Sequence, residues 1–280
     1  MIMWNLTNQV AVVTGASRGV GKGIAHALGM AGATVYVTGR TVEPGTGADG
    51  MPGTVGETAV LVTQAGGKGI AVRCDHTIDA DVEALFAQVA AEQGRLDILV
   101  NNVWGGYEDI ESDEAIWGAP FWEQPLSRWD NMFTAGVRAH YTASRLGARW
   151  MIAQRQGLIV NISYWAGQKY MNNIMYGVSK CATDRLAKDM AHELREYGVT
   201  AVSLYPGLVR TERVLEAAEW FDMSNAESPE FTGLAIAALA SDPCRQDKNG
   251  QVLVAADLAL AYGFDDIDGR RVRPLTLETA

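Results

Sequence analysis

A short apolar segment near the start of the chain runs directly into a glycine-rich turn and then into a helical pattern. The apolar segment is Val10–Val13, and the turn after it reads Thr14-Gly15-Ala16-Ser17-Arg18-Gly19-Val20-Gly21. Glycines let a backbone turn sharply and approach a pyrophosphate, while the following helix N-terminus supplies free N–H groups. The Gly-x-x-x-Gly-x-Gly spacing differs from the commoner Gly-x-Gly-x-x-Gly fingerprint of dinucleotide sites. The segment predicts a strand, a phosphate-binding turn and a helix; a turn without a ligand is the alternative.

Apolar runs and helical patterns alternate along the rest of the chain. We predict strands near residues 9–14, 33–38, 69–74, 96–100, 157–163, 199–204 and 250–255. This alternation is typical of a parallel, doubly wound sheet with helices on both faces, so the predicted fold is α/β of the Rossmann type. No repeat or linker divides the sequence, which predicts one domain over residues 1–280. Irregular segments are expected at residues 41–57 and 104–127, and a C-terminal tail from about residue 257.

The composition is that of an ordinary globular protein, with 280 residues, 48% hydrophobic and 20% charged. The formal net charge of −10 argues against nucleic-acid and anionic-membrane partners, because these need a basic surface. The first residues lack a basic region followed by a long apolar run, and no later stretch is long and apolar enough to cross a membrane. The cysteines and histidines form no metal-ligand pattern. We therefore expect a cytoplasmic protein without a metal.

A tyrosine and a lysine lie four residues apart in a helical pattern, at Tyr176 and Lys180. This spacing places both side chains on one face of a helix. A phenol with a pKa of ~10 needs a shift of about three units, or roughly 4 kcal/mol, to exchange protons near neutral pH. A charge about 4 Å away supplies about that much at an effective dielectric constant of about 20. We expect Lys180 to lower the pKa of Tyr176, and Tyr176 to act as an acid or base.

Further motifs follow in a consistent order along the chain. They are Asp75 after the third apolar run, then Asn101-Asn102, Ser163, Pro206-Gly207 and Thr211. With these motifs, the chain resembles the short-chain dehydrogenase/reductase family over nearly its whole length. Within that family it is similar to the subgroup named dehydrogenase/reductase member 1 in the segments Phe121–Pro125, Gly136–Tyr141, Tyr262–Phe264 and Asp268–Arg270. The resemblance implies an oxidoreductase that transfers hydride between a nicotinamide cofactor and a carbonyl or alcohol. A nucleotide-binding protein of the same fold with little turnover is the alternative.

The resemblance also implies roles for individual residues. Tyr176 donates a proton to the substrate oxygen, Ser163 donates a hydrogen bond to it, and Lys180 holds the nicotinamide ribose. Asp75 contacts the adenine, and Asn101 stabilises the turn beside the cofactor. The implied cofactor-binding residues are Gly15, Ser17, Arg18, Gly19, Val20, Gly21, Arg40, Asp75, Asn101, Tyr176, Lys180, Pro206, Gly207, Val209 and Thr211.

The choice of cofactor depends on the end of the second predicted strand. Folds that bind NAD place an acidic residue there to hold the ribose hydroxyl. This chain instead has Gly39 at that position and Arg40 after it, with Arg18 in the glycine turn. Two guanidinium groups suit a 2′-phosphate, so we predict NADP(H) in preference to NAD(H).

Aromatic residues are concentrated in three segments that meet over the substrate in this family. They are Trp104, Tyr107, Trp117, Phe121, Trp122, Tyr164, Trp165, Trp220 and Phe221, of which Trp104, Tyr164 and Trp165 are the predicted substrate pocket. Aromatic walls favour a bulky hydrophobic or aromatic carbonyl or alcohol. The alternative is that these rings pack an oligomer interface. The resemblance implies a homodimer or homotetramer.

Three residues depart from the family pattern. Tyr164 stands where the family has a second serine, and it is the alternative to Ser163 as the substrate's hydrogen-bond donor. We prefer Ser163 because of its distance before Tyr176 and because neighbouring strand residues face opposite sides. Gly136 occupies the position of a helix asparagine, which predicts a different or absent proton relay. Trp104 places a large indole near the nicotinamide.

Overall fold

The computed structural model describes residues 4–47, 50–108 and 117–280 of the chain. Within these residues, seven parallel strands form one sheet in the order β3-β2-β1-β4-β5-β6-β7. The strands are β1 Val10–Val13, β2 Thr34–Gly39, β3 Lys68–Arg73, β4 Ile98–Asn101, β5 Gly157–Ile162, β6 Val199–Tyr205 and β7 Val252–Val254. Each strand lies within two residues of its predicted position, and the α/β prediction is confirmed. Part of the predicted segment 104–127 lies outside the described residues.

Helices connect the strands and cover both faces of the sheet. They are α1 Gly19–Met30, α2 Val55–Gln64, α3 Asp79–Gln93, α4 Leu126–Met132, α5 Ala139–Gln154, α6 Ile174–Leu194, α7 Glu212–Glu216, α8 Pro229–Ser241 and α9 Ala255–Tyr262. A π-helical turn, Phe133–Arg138, joins α4 to α5. Among the described residues, no helix combines the length and the apolarity that a membrane span requires.

Two hydrophobic layers sandwich the sheet. In β1, Ala11 and Val13 face the layer that contains α1, α2, α8 and α9. Val10 and Val12 face the layer that contains α3, α5 and α6. Strands that are apolar on both sides are expected in a parallel sheet covered twice, which explains why the strands appear in the sequence as continuous apolar runs.

The winding of the chain reverses at β1, because β2 lies on one side of it and β4 on the other. In open α/β sheets, ligands bind in the crevice that this reversal leaves at the carboxyl ends of the strands. The glycine turn, Asp75 and the residues after β4 and β5 all lie at that edge.

Candidate active site

The glycine turn follows β1 at the point where the winding reverses. Gly15 has a φ of +64°, in the left-handed region that favours glycine. A Cβ atom on Gly15 would lie 2.8 Å from Cα of Val103, and one on Gly21 would lie 2.3 Å from the Gly15 carbonyl oxygen. Backbone approaches backbone at both positions, so the turn requires glycine there.

Asn102 stabilises this turn from the end of β4. Its Nδ2 donates to two carbonyl oxygens of the turn, both at 2.9 Å. Asn101, the predicted residue, points into the interior instead, and its Nδ2 donates to Ser144 Oγ and Asn161 Oδ1 at 2.8 Å each. Because adjacent side chains of a strand face opposite sides, the role predicted for Asn101 belongs to its neighbour Asn102.

A cleft opens beside the glycine turn, and most of the predicted cofactor-binding residues line it. These are Gly15, Ser17, Arg18, Gly19, Val20, Gly21, Arg40, Asp75 and Thr211. Arg40 forms an ion pair with Glu108, which also lines the cleft. Arg18 donates to Thr41 Oγ1 at 3.0 Å and to the Pro52 carbonyl oxygen at 3.2 Å. Two guanidinium groups therefore lie in the wall of the cleft near the end of β2.

Asp75 lies in the same cleft, two residues after β3. Burial favours its neutral form, but hydrogen bonds from the backbone and hydroxyl of Thr77, at 2.9 and 2.7 Å, outweigh this effect. The pKa of Asp75 is consequently lowered. Near neutral pH, Asp75 is a carboxylate that can accept a hydrogen bond from an amino group such as that of adenine.

The N-terminus of α1 already holds an anionic oxygen. Glu212 Oε2 accepts a hydrogen bond from the backbone N–H of Gly19 at 2.9 Å. Free N–H groups and the helix dipole attract negative charge at this position. The carboxylate shows that an anionic oxygen fits where the turn enters the helix, so the residues present fit a pyrophosphate. The sequence analysis missed Glu212, because an isolated glutamate carries no spacing signal.

Tyr176 and Lys180 lie in the first two turns of α6. Asn173 caps this helix by accepting from the N–H of Tyr176 at 2.9 Å. Lys180 is 9% exposed, and its Nζ donates to the Ile162 carbonyl oxygen at 3.3 Å. Nζ also lies 5.8 Å from the centroid of the Tyr176 ring. The helical spacing thus brings the two side chains together beside the end of β5.

The electrostatics of this pair differ from the expectation based on sequence. Burial raises the pKa of Tyr176 well above its ordinary value, and the phenols of Tyr107 and Tyr164 add to the rise. Burial lowers the pKa of Lys180 to about 8, although the Asp184 carboxylate opposes this. The pKa of Tyr176 is therefore raised, where the spacing of Lys180 predicted a lowered value, because desolvation disfavours the phenolate.

The two hydroxyl-bearing residues after β5 face different surroundings. Ser163 is 1% exposed, and its Oγ donates to the Lys180 carbonyl oxygen at 3.3 Å. The Tyr164 ring lies beside that of Tyr176, with the centroids 6.4 Å apart and the planes 29° apart. The structure therefore does not present the Ser163 hydroxyl to the site as expected. Side-chain alternation places Tyr164, and not Ser163, on the side of Tyr176.

Trp104 is the centre of an aromatic cluster over Tyr176. Its ring centroid lies 5.4 Å from that of Tyr176, 4.9 Å from Tyr107 and 6.3 Å from Trp117. The Lys180 ammonium group lies 5.5 Å from the same indole. Trp104 also lines the cleft beside the glycine turn, so one indole contacts both halves of the site.

The other predicted aromatic residues do not form one wall. Trp165 is buried and packs edge to face on Tyr205, with centroids 5.2 Å apart, so its predicted place in the substrate pocket is corrected to the core. The reason is a 3₁₀ turn, Trp165–Gly167, which begins directly after the extended Tyr164 and redirects the chain. Phe121 and Trp122 contact each other and are exposed.

A buried glutamate holds the Pro206-Gly207 turn after β6. Glu227 Oε2 accepts from the N–H of Gly207 at 3.0 Å, and its Oε1 accepts from the Thr232 hydroxyl at 3.1 Å. Val209 forms a β-bridge with Glu227. Burial raises the pKa of Glu227 to about 7, although these two hydrogen bonds oppose the rise. The sequence analysis missed Glu227, because its partner Gly207 is twenty positions away.

Two departures from the family pattern meet in a single contact. Gly136 lies in the π-helical turn, and a Cβ atom on it would lie 3.3 Å from Cδ1 of Trp104. A side chain there would press against the indole. His140, one turn later, donates through Nε2 to the Val103 carbonyl oxygen at 3.0 Å, and burial lowers the pKa of His140 to about 3. Gly136 therefore leaves room for the Trp104 indole. The neutral His140 holds Val103, the residue before Trp104, by its backbone carbonyl.

The chain is similar to known proteins over most of its length. A family model described as short chain dehydrogenase matches residues 9–221. The chain belongs to this family of nicotinamide-dependent oxidoreductases. In Mus musculus, Dehydrogenase/reductase SDR family member 1 is 46% identical over 282 residues, which cover 96% of this chain and 86% of the relative. The resemblance to this family and subgroup is therefore confirmed.

Two solved structures of the same fold contain a bound cofactor. A metagenomic short-chain oxidoreductase in complex with NADP is 31% identical, with a TM-score of 0.69, and the match covers 89% of this chain and 97% of the other. A 7α-hydroxysteroid dehydrogenase complexed with NADH and 7-oxo glycochenodeoxycholic acid is 27% identical, with a TM-score of 0.73 and coverage of 89% and 94%. The fold thus occurs with either nicotinamide cofactor.

Proposed function

We propose that this chain is a single-domain, NADP(H)-dependent oxidoreductase that interconverts a carbonyl group and an alcohol. The observation that carries the proposal is the contact of Tyr176 with Lys180 at the sheet edge that also holds the glycine turn. Membership of the short-chain dehydrogenase family supports the same reaction class.

The cofactor preference follows from the charges in the cleft. Both terminal nitrogens of Arg40 donate to the carboxylate of Glu108. A 2′-phosphate can take the place of this carboxylate, because it accepts the same pair of hydrogen bonds. Arg18 lies in the same wall, and no acidic residue occupies position 39. The Gly19 N–H receives the pyrophosphate, and Asp75 receives the adenine. Pro206, Gly207, Val209 and Thr211 receive the nicotinamide carboxamide.

The reaction needs a proton donor beside the substrate oxygen. The cofactor supplies or accepts the hydride, and negative charge develops on the substrate oxygen as the hydride arrives. Tyr176 donates its proton to that oxygen. Its raised pKa keeps the phenol protonated, which suits the direction of carbonyl reduction. Lys180 stabilises the phenolate that remains, because its ammonium group lies over the ring.

The substrate class follows from the rings around Tyr176. Trp104, Trp117 and Tyr164 all lie within 6.4 Å of the Tyr176 centroid. Such a surface favours a flat or bulky hydrophobic carbonyl compound, for example an aromatic ketone or a quinone. The similar 7α-hydroxysteroid dehydrogenase, solved with an oxo bile acid, supports a bulky substrate.

The surface of the helices next to the site bears on how the chain assembles. Exposed apolar side chains lie on the helices next to the site, among them Leu126, Trp129, Tyr141 and Val178. A surface of this kind suits burial between subunits, so we propose a cytoplasmic homodimer or homotetramer. The negative net charge and the family give no reason to invoke nucleic acid or membrane as a partner.

A nucleotide-binding protein with little turnover is the second candidate function. The observation that favours it is the position of Trp104, which packs against both Tyr176 and Lys180. This packing limits the space beside the phenol. The two candidates agree on cofactor binding and differ in whether the cofactor is consumed.

The test is a fluorescence titration with NADPH and NADH, followed by NADPH oxidation with a panel of ketones and quinones. We expect tighter binding of NADPH than of NADH, a loss of about 10- to 100-fold in NADPH affinity in Arg40→Ala, and turnover of an aromatic carbonyl. Arg185→Ala is the control, because Arg185 is exposed and forms an ion pair with Asp189, four residues later in the same helix. Equal binding of both cofactors contradicts the cofactor preference, and tight binding without turnover favours the second candidate.

A further inference from the structure

Two adjacent hydroxyl groups follow β5, close to the proposed proton donor Tyr176. A carbonyl that receives hydride develops negative charge on its oxygen, and a second hydrogen-bond donor stabilises that charge. The candidates are Ser163 and Tyr164. Both follow the same strand, so the direction of each side chain decides between them.

Ser163 is committed to the packing of β5 against α6. Its hydroxyl donates to the carbonyl oxygen of Lys180 at 3.3 Å. Its backbone N–H donates to the Leu204 carbonyl oxygen at 3.0 Å, which continues the pairing with β6. The residue is 1% exposed. Ser163 therefore serves the junction of strand and helix, and its proton points at the backbone of the helix.

Tyr164 faces the other way. Its backbone is extended, with φ −162° and ψ 164°, so its side chain leaves on the opposite side from Ser163. Its ring lies nearly parallel to that of Tyr176, at 6.4 Å between centroids. Tyr164 is only partly buried, unlike Ser163. The two phenol rings therefore lie side by side beside the end of β5.

The protonation state of Tyr164 suits a donor. Burial raises its pKa, and the nearby Glu227 and Tyr107 raise it further. The phenol consequently keeps its proton throughout the neutral range. A group that must donate a hydrogen bond without losing its proton needs this property.

We propose that Tyr164, and not Ser163, donates the hydrogen bond to the substrate oxygen, so that the reacting carbonyl is held between two phenols. The inference rests on the proposed function. In carbonyl reduction, hydride from the reduced cofactor would form the new C–H bond as the carbonyl π bond breaks, and the cofactor would be oxidised. The Tyr176 O–H bond breaks to supply the proton of the new O–H bond, which leaves a Tyr176 phenolate. Tyr164 keeps its proton and only polarises the oxygen.

This assignment has a consequence for the substrate. A phenol hydroxyl lies further from its backbone than a serine hydroxyl does, so the substrate oxygen lies further from β5. The carbonyl is then enclosed by the faces of Tyr164, Tyr176 and Trp104. A conjugated carbonyl can pack against such faces, whereas a small aliphatic ketone leaves them uncovered.

The test compares two single-atom changes at neighbouring positions, Tyr164→Phe and Ser163→Ala. With phenanthrenequinone and NADPH, we expect Tyr164→Phe to lower kcat by about 100-fold, with a small change in KM and unchanged NADPH affinity. Ser163→Ala retains kcat within about threefold and loses thermal stability instead. Full activity in Tyr164→Phe, or a 100-fold loss of kcat in a folded Ser163→Ala, overturns the inference.

A second readout does not depend on turnover. Quinone binding to the protein without NADPH is followed by quenching of tryptophan fluorescence, since Trp104 adjoins the site. We expect Tyr164→Phe to weaken this binding at least threefold and Ser163→Ala to leave it unchanged. Equal binding by all three proteins overturns the inference. If wild type and Tyr164→Phe reduce the quinone equally well, the proposed role of Tyr164 is refuted and the proposed function stands. If the wild type neither binds nor reduces the quinone, the proposed function is refuted as well.

Discussion

The two halves of the site differ in what holds their side chains. Beside the glycine turn, the contacts are between charges that can change partners, such as Arg40 with Glu108 and the Gly19 N–H with Glu212. Around Tyr176, the contacts are between rings, and the titratable groups are buried. An incoming phosphate can replace a carboxylate at little net cost, because one anion takes the place of another. From this difference we expect the cofactor to bind by displacing carboxylates from Arg40 and from the Gly19 N–H. We expect the proton transfer, in contrast, to depend on the burial of Tyr176.

The largest expected effect is that of Tyr176→Phe, which should change kcat without changing NADPH affinity. Tyr176→Phe removes the proposed proton donor but keeps the ring that packs on Trp104. We expect kcat to fall by about 10²–10⁴-fold, the usual contribution of a positioned acid, with NADPH affinity within about twofold of wild type. Steady-state kinetics and a fluorescence titration measure the two quantities. A matching loss of affinity would show that the halves are not independent.

The next effect concerns the backbone of the glycine turn. Gly15→Ala introduces a Cβ atom 2.8 Å from Cα of Val103 at a φ of +64°. We expect a loss of about 2–4 kcal/mol in the free energy of unfolding, or a comparable loss of NADPH affinity. Gly45→Ala is the matched control, because Gly45 has a φ of +77° with nothing within 4 Å of an added Cβ. Denaturant unfolding of the two variants separates the two effects, because Gly45→Ala introduces backbone strain without the clash. Equal losses in the free energy of unfolding would show that the clash with Val103 contributes nothing.

The third effect tests desolvation behind the Pro206-Gly207 turn. The folded-state pKa of Glu227, about 7, lies above the ordinary value of 4.5, so the native state retains a proton that the unfolded chain releases between these values. The free energy of unfolding therefore decreases from about pH 4.5 to about pH 7 through this group, by at most about 3 kcal/mol.

Glu227→Gln removes that titration and retains an oxygen to accept from Gly207. We expect the stability of Glu227→Gln relative to wild type to increase from pH 5 to pH 8. Denaturant titrations at several pH values measure it, with the exposed Glu196→Gln as the control. A difference that does not vary with pH would mean that Glu227 is not desolvated in solution.

The smallest effect concerns exchange of partners at the N-terminus of α1. Glu212→Gln removes the charge that competes with a pyrophosphate for the Gly19 N–H. A charge at a helix terminus contributes about 0.3–1 kcal/mol, so we expect NADPH to bind about two- to fivefold more tightly. Glu216→Gln, in the same short helix but exposed, is the control. Weaker binding in Glu212→Gln would show that Glu212 assists the cofactor instead of competing with it.

Sequence patterns located nearly every element of the site and failed at single-residue resolution. The glycine turn, Arg18, Arg40 and Asp75 line one cleft as their positions at strand ends suggested. The errors came in adjacent pairs, where the chain offers two chemically similar side chains in a row. Asn101 and Asn102 are one such pair. Ser163 and Tyr164 are a second pair, in which we propose Tyr164 as the donor to the substrate oxygen. The prediction that Trp165 lines the substrate pocket was wrong for a related reason, because the turn that begins after Tyr164 directs Trp165 into the core.

The sequence by itself determined the order of strands, turns and helices, and with it the edge where the site lies. Apolar periodicity and glycine positions act over a few residues, so a linear pattern records them. Only the tertiary structure decided which hydroxyl faces Tyr176, that Glu227 supports Gly207, and that Trp104 packs on Gly136. The first of these outcomes depends on the pairing of β5 with β6 and on the packing of β5 against α6. These outcomes also determine how much water reaches Tyr176, which is why its pKa rises where the spacing of Lys180 alone predicted a fall.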